Sequence, residues 1–245
     1  MNAQKPMKTK SSLQIIGASL LALTVLWLAG CASVGYNKGD ATARALENAA
    51  TQAQDESRTL ELTMTSLNDL VNKPAADLKP QFEKFSKALD QLAAAEKRTD
   101  AASISVSEKG AVYFQAWDQE LAGMSYEPIR NQGRTRKAEV TKTFDDVTHR
   151  YHEAQASLPP LLDYLRDIRK SLRSELTPGG LASVKNLVAN AQDKADNSQK
   201  ALAKVAADLT TLSKSMSSSV APPAAVAGTN QPPASASKEA GSTKK

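Results

Sequence analysis

Cys31 carries the only thiol of this 245-residue chain, and His149 and His152 are its only imidazoles, so few side chains can serve as nucleophile, general base or soft metal ligand. Cys31 follows Leu28, Ala29 and Gly30. Small side chains at 29 and 30 let an extended backbone enter a peptidase groove, and the thiol supplies a nucleophilic sulfur that only cysteine offers. One cysteine excludes an intramolecular disulfide framework and every multi-cysteine zinc or iron–sulfur site. His149 and His152 stand three apart with Asp145 four residues before His149, so a helix would place all three on one face as N/O ligands for zinc or copper. The heptad pattern described below puts them outside the apolar seam, where water competes and nothing orients the rings. They are the weakest candidates in the chain, and no metal or cofactor is expected. No serine lies in a nucleophile elbow, and Gly179-Gly180 lacks the lysine and spacing of a phosphate loop. The chain is not expected to be an enzyme.

The residues before Cys31 explain how that thiol would be used. Lys5, Lys8 and Lys10 precede an apolar run from Leu13 to Leu28 that is interrupted only by Gln14, Gly17, Ser19 and Thr24. At about 16 residues the run is shorter than the ~20 that span a bilayer as a helix, so residues 1–30 read as a cleaved export signal. The ending Leu28-Ala29-Gly30-Cys31 resembles the lipobox of bacterial lipoproteins. That resemblance implies alkylation of Cys31 by diacylglycerol, acyl chains of the palmitate kind, and a mature chain that begins at Cys31. Each buried CH₂ contributes ~0.8 kcal/mol, so two or three chains hold a protein firmly to a membrane. Ala32 and Ser33 follow, without the aspartate associated with inner-membrane retention. The resemblance to Gram-negative lipoproteins therefore implies an outer-membrane protein facing the periplasm.

Charge excludes one class of partner. The signal lysines account for three of the net +5, and Lys238, Lys244 and Lys245 against Glu239 account for the remaining two. Residues 32–215 are then close to neutral, and the high pI is no evidence for nucleic acid binding.

The elements that must position these groups are helices. Residues 31–39 read as a tether, with Asp40 as the cap of a first helix. Leu46, Ala50, Ala53, Ser57, Leu60, Met64, Leu67 and Val71 then alternate in fours and threes, which is a coiled-coil seam. Asn72-Lys73-Pro74 breaks it, and Pro80 suits the first turn of a second helix. Phe82, Phe85, Leu89 and Leu92 resume the pattern, which fades through Glu96, Thr99 and Ser103 and returns at Val106, Tyr113, Trp117 and Leu121, with Gly110 in the same seam. The alternation from Ser103 to Ser107 has the period of a strand but helical flanks, and helix is expected. Gly123 to Gly133, with Pro128 inside, supplies the next turn. A third seam runs Val140, Phe144, Val147, Tyr151, Ala154, Leu158, Leu161, Leu165, Ile168 and Leu172, crossing Pro159-Pro160 without losing step. After Thr177-Pro178-Gly179-Gly180 a fourth runs Leu181, Val184, Val188, Ala191, Ala195, Ser198, Leu202, Val205, Leu209, Leu212 and Met216.

Short connections between long helices favour antiparallel neighbours. The expected fold is all-α: an elongated antiparallel bundle of three to four long helices with coiled-coil seams over residues 40–216. Residues 217–245, rich in Pro, Ala and Ser, read as a disordered tail. Alanine and serine in the first and last seams bury little apolar area, so the middle pair is expected to be held more strongly. The seams serve packing within one chain or between chains, which leaves a homo-oligomer open.

Arg130, Arg134, Arg136, Lys137 and Lys142 form one basic stretch, and Arg166, Arg169, Lys170 and Arg173 another. With acids interleaved and a neutral total they are expected to be solvated helix faces rather than a headgroup site. Tyr113, Phe114 and Trp117, at helical spacing, are expected in the core.

The stretch from Val112 to Leu121, the run from Asp163 to Gly180 and the lipobox together resemble a bacterial family, domain of unknown function 2959. The resemblance implies a helical lipoprotein and adds no catalytic residue. The expected role is a lipid-anchored scaffold or interaction module, with the membrane and an envelope protein or peptidoglycan as partners. Two alternatives remain: a spacer linked to peptidoglycan through Lys245, as in Braun-type murein lipoproteins, and a metal protein using Asp145, His149 and His152.

Overall fold

The computed structural model describes residues 35–219, and among them five helices and no strand: α1 Gly35–Asn72, α2 Lys79–Gly123, α3 Glu127–Ala156, α4 Leu158–Ser174 and α5 Pro178–Met216. Local chemistry sets the breaks. Pro74 follows the end of α1, and Gln81 folds back over that turn, its side-chain amide donating to the Lys73 carbonyl at 3.0 Å and accepting from Ala75 N–H at 2.9 Å. Thr177 caps α5 by accepting from the Gly180 N–H at 3.1 Å, with Pro178 in the first turn. Between α3 and α4 only Ser157 intervenes, and it keeps right-handed helical dihedrals (φ −75°, ψ −20°). Pro159 and Pro160 have no N–H to donate, so the hydrogen-bond ladder is interrupted there while the direction of the rod is kept.

α3 and α4 therefore make up one rod of four. α1 packs along α2 and α5, and the α3–α4 rod packs on the same two helices, lying diagonally across the core from α1 without close backbone approach. Cross-links fix the antiparallel register. Thr42 near the start of α1 bonds the Lys109 carbonyl near the end of α2 at 3.0 Å, and Arg98 meets Gln52 at 3.2 Å. Ser213 on α5 bonds the Ala43 carbonyl at 2.7 Å, and Asn68 meets Gln192 at 2.7 Å. This is the up-and-down bundle that short turns favour.

The seams lie where the spacing predicts. Every residue of the last stripe is buried, and so is every residue of the third except half-buried Val140. The strand-like alternation at Ser103–Ser107 is helical.

Three expectations are corrected. α1 already runs from Gly35, within the expected tether, so Asp40 is not its cap; its carboxylate instead accepts from the Ser218 N–H (2.6 Å) and hydroxyl (2.7 Å) just past the end of α5. The turn expected over Gly123–Gly133 shrinks to Met124–Tyr126, because Pro128 occupies the first turn of α3. Burial is also distributed otherwise than the seams alone suggest: α1 buries a second seven-residue stripe beside its seam, whereas α3 buries only Phe144, Val147, Tyr151 and Ala154. Small residues bury little area each, but they let α1 approach two neighbours at once.

Gly110 shows the same close approach between α2 and α3. A Cβ there would lie 2.3 Å from the Phe144 ring, so only glycine admits the ring, which also stacks edge-on against Phe114 at 5.3 Å. Gly110→Ala should lower stability by about 1–3 kcal/mol through overpacking, despite the better helix former. In a Phe144→Leu background the same change should be nearly neutral, and a double-mutant cycle in urea reads the difference.

Candidate functional site

The lipobox residues Leu28, Ala29, Gly30 and Cys31 lie outside the described residues, as does Lys245. What the structure does place is the end of the bundle nearest to Cys31. The start of α1, the α2–α3 turn and the end of α5 converge there around an open cavity of about 450 Å³ lined by Gly35, Tyr36, Tyr113, Trp117, Met124 and Met216. Gly39 lets α1 pass over the aromatic cluster: a Cβ at that position would lie 3.2 Å from the Tyr113 ring. The Tyr113 ring meets those of Phe114 and Trp117 in tilted contacts, with centroids 5.2 and 5.5 Å away. These aromatics were expected in the core. All three are half-buried: Tyr113 and Phe114 pack against the edge of the core, and Tyr113 and Trp117 also wall the cavity. The Asp40–Ser218 pair closes one side, and the Ser218 N–H and hydroxyl hold the Asp40 carboxyl below its usual range.

The second place is a polar layer midway along the rods. Glu56 is 1% exposed, one of its carboxylate oxygens has no partner, and no seam residue of the sequence pointed to it. Burial raises its pKa to about 7. The Thr99 hydroxyl pulls the other way, although its single proton is also within reach of the Ala95 carbonyl at 3.1 Å; Glu96 and Asp100 push up and Arg98 down. Tyr151, fully buried on α3, donates to the Thr99 carbonyl at 3.0 Å. Burial, with Glu56 and Asp100 beside it, drives that phenol far above its ordinary range. The signal for Glu56 was a second seven-residue stripe on α1: Thr42, Ala49, Glu56, Thr63 and Leu70 are all buried. A helix flanked on two sides needs such a stripe beside its seam.

The histidine face does not assemble. His149 is exposed and pairs with Glu153 at 3.3 Å, whereas His152 turns to Ser103 at 3.4 Å and Asp145 faces a groove with Lys142. Among the described residues no three His, Cys, Asp or Glu side chains are grouped to hold a metal ion. In the basic stretches most side chains have local partners: Arg136 meets Glu139, Lys137 meets Asp118, Lys142 meets Asp146, Arg169 meets Asp90 and Lys170 meets Asp167. Lys137 and Arg169 are largely covered and bridge to α2, whereas Arg136, Lys142 and Lys170 are exposed on their own helix faces. Among the described residues no helix is long and apolar enough to cross a membrane.

A four-rod antiparallel bundle with a cavity at one end and an acid at its waist defines a structural class without naming a chemistry. The chain belongs to the family described as protein of unknown function (DUF2959), whose model matches residues 27–223, from just before Leu28 to past the end of α5. No curated protein and no solved structure matches the chain.

The buried acid makes stability depend on pH. Its pKa is raised in the fold from 4.5 to about 7, so the native state holds a proton that the unfolded chain releases. Its contribution is therefore greatest below pH ~4.5, falls as pH rises through 7, and is lost above it, in total roughly 3 kcal/mol. Glu56→Gln should leave the melting temperature near its wild-type value at pH 5 and raise it at pH 8.5. Thermal melts followed by circular dichroism at the two pH values check the sign.

Proposed function

We propose that the protein is a lipoprotein of the cell envelope, anchored through a diacylated Cys31 in the outer membrane, and that its bundle acts as an elongated scaffold or interaction module. One observation carries the reading: α1 begins at Gly35, four residues after Cys31, so a lipid on that sulfur is tied almost directly to a rigid rod. A flexible linker would let the anchored domain wander. Here the short connection keeps the bundle close to the membrane, as suits a part that holds a surface at a set distance. α2, with 45 residues at 1.5 Å each, gives that part a length of roughly 65 Å. The family match extends from residue 27, so the region around Cys31 belongs to the matched unit together with the bundle. No catalysis is assigned.

The N-terminal peptide of the mature protein should carry a diacylglyceryl mass on Cys31, and Cys31→Ser should release the chain from the membrane fraction. Ala32→Asp should move it from the outer to the inner membrane. Cross-linking in cells should then capture a defined envelope protein that is lost with Cys31→Ser. An unmodified Cys31 peptide would sink the anchoring. Capture of nothing beyond the chain itself would sink the adaptor role.

A further inference from the structure

The membrane-proximal end has a surface that the scaffold reading leaves unused. Gly39 faces Tyr113, which sets the first residue of α1 level with Trp117 on α2. Six more residues carry α2 to Gly123, so the α2–α3 turn projects about 9 Å past that level. The backbone from Gly35 back to Cys31 spans at most about 14 Å. That reach is long enough for an acylated sulfur to lie level with the turn Met124–Tyr126. At that height the chain exposes Tyr126 (67%) and Ile129 (57%), with Tyr36 (59%) about two turns above. The other exposed large hydrophobics, Leu62, Ile104, Val112 and Leu187, lie singly along the sides, as ordinary surface residues do.

We propose that the α2–α3 tip is a membrane-contact surface, seating Tyr126 and Ile129 in the interfacial layer of the bilayer that holds the Cys31 lipid, so that the bundle stands on its end. This rests on the anchoring proposed above. The occupant follows from geometry: four residues allow no other large object between the tip and the lipid surface that the anchor enters. Aromatic rings favour the boundary between headgroups and acyl chains, where an apolar body and a polar edge are both satisfied. The charges nearby are mixed, with Lys38, Arg130 and Arg134 against Glu120 and Glu127, so contact is driven by apolar burial rather than by attraction to acidic lipid. A single acyl-anchored point would leave the rod free to swing. The tip supplies a second point of contact and fixes its orientation.

Trp27 belongs to the signal, so a chain cleaved at Cys31 has Trp117 as its one tryptophan, and depth can be read from indole fluorescence. The acylated protein is reconstituted into vesicles of phosphatidylethanolamine and phosphatidylglycerol that carry a nitroxide near the headgroup, and mass spectrometry verifies the diacylglyceryl group on Cys31. In Trp117→Phe/Tyr126→Trp the tip indole should lose more emission than Trp117 loses in the parent. The loss should be the same at low and high salt and smaller when Ile129→Ser is added. Trp117→Phe/Ile129→Trp gives an independent reading if the first variant folds poorly by circular dichroism. An acylated, vesicle-bound protein whose tip indole is quenched no more than Trp117 would overturn the contact and leave the anchoring intact. A Cys31 without lipid would remove the anchoring, and the contact with it.

Discussion

α1 has to be covered on two sides at once, and the rest of the bundle follows from how that is done. Its first half presents Thr42, Ala43, Ala49, Ala50 and Ala53, small enough for α2 and α5 both to approach closely. Close approach at the waist leaves little room for large aliphatic side chains there. Ala95 and Ala102 on α2 and Ala206 on α5 continue the small-residue layer, and Tyr151, arriving from the opposite rod, reaches the Thr99 carbonyl within it. α3 is thus held by two rings, Phe144 and Tyr151, with Val147 and Ala154, and α4 by a row of aliphatic side chains, Leu158, Leu161, Leu162, Leu165, Ile168 and Leu172. The fourth rod is held in two different ways along its length, and the change falls at Ser157, where its ladder is broken and its hydroxyl meets that of Ser198 at 2.9 Å.

The polar groups at the waist are also the least forgiving. A carboxylate with one oxygen unpartnered in a dry layer is unfavourable when charged, which argues that Glu56 sits there for more than stability. Buried polar groups in helical bundles are best attested as devices that fix register, because any slip would separate them from the few partners they have. Here those partners come from α2 and, through Thr99, from Tyr151 on α3, so the layer ties three rods to one height. A bundle whose rods cannot slide keeps its two ends at a constant separation.

Much of the architecture was legible because apolar spacing in fours and threes is a direct image of a helix face. The last stripe of α5 was readable residue by residue, since each of its positions faces one crowded interior. Asp40 was not, because aspartate at a helix start has the same appearance whether it accepts from its own helix or from Ser218 across the bundle. Glu56 escaped because a charged side chain is read as surface unless its seven-residue neighbours are counted, and those neighbours include Ala49 and Thr63, which are neutral to that reading. The aromatic cluster was placed on the correct seam but at the wrong depth. Periodicity reports the direction in which Tyr113 and Trp117 point and carries no information on where along the rods the packing stops.

An even number of rods has a topological result. The described chain enters and leaves at one pole, with residue 35 and residue 219 held together by the Asp40–Ser218 clasp. The opposite pole therefore consists of two closed turns alone, Lys73–Leu78 and Glu175–Thr177, which face each other across a cleft of about 600 Å³. Residue 219 thus sits at the same pole as residue 35, and among the described residues the far pole presents a surface with no chain end in it.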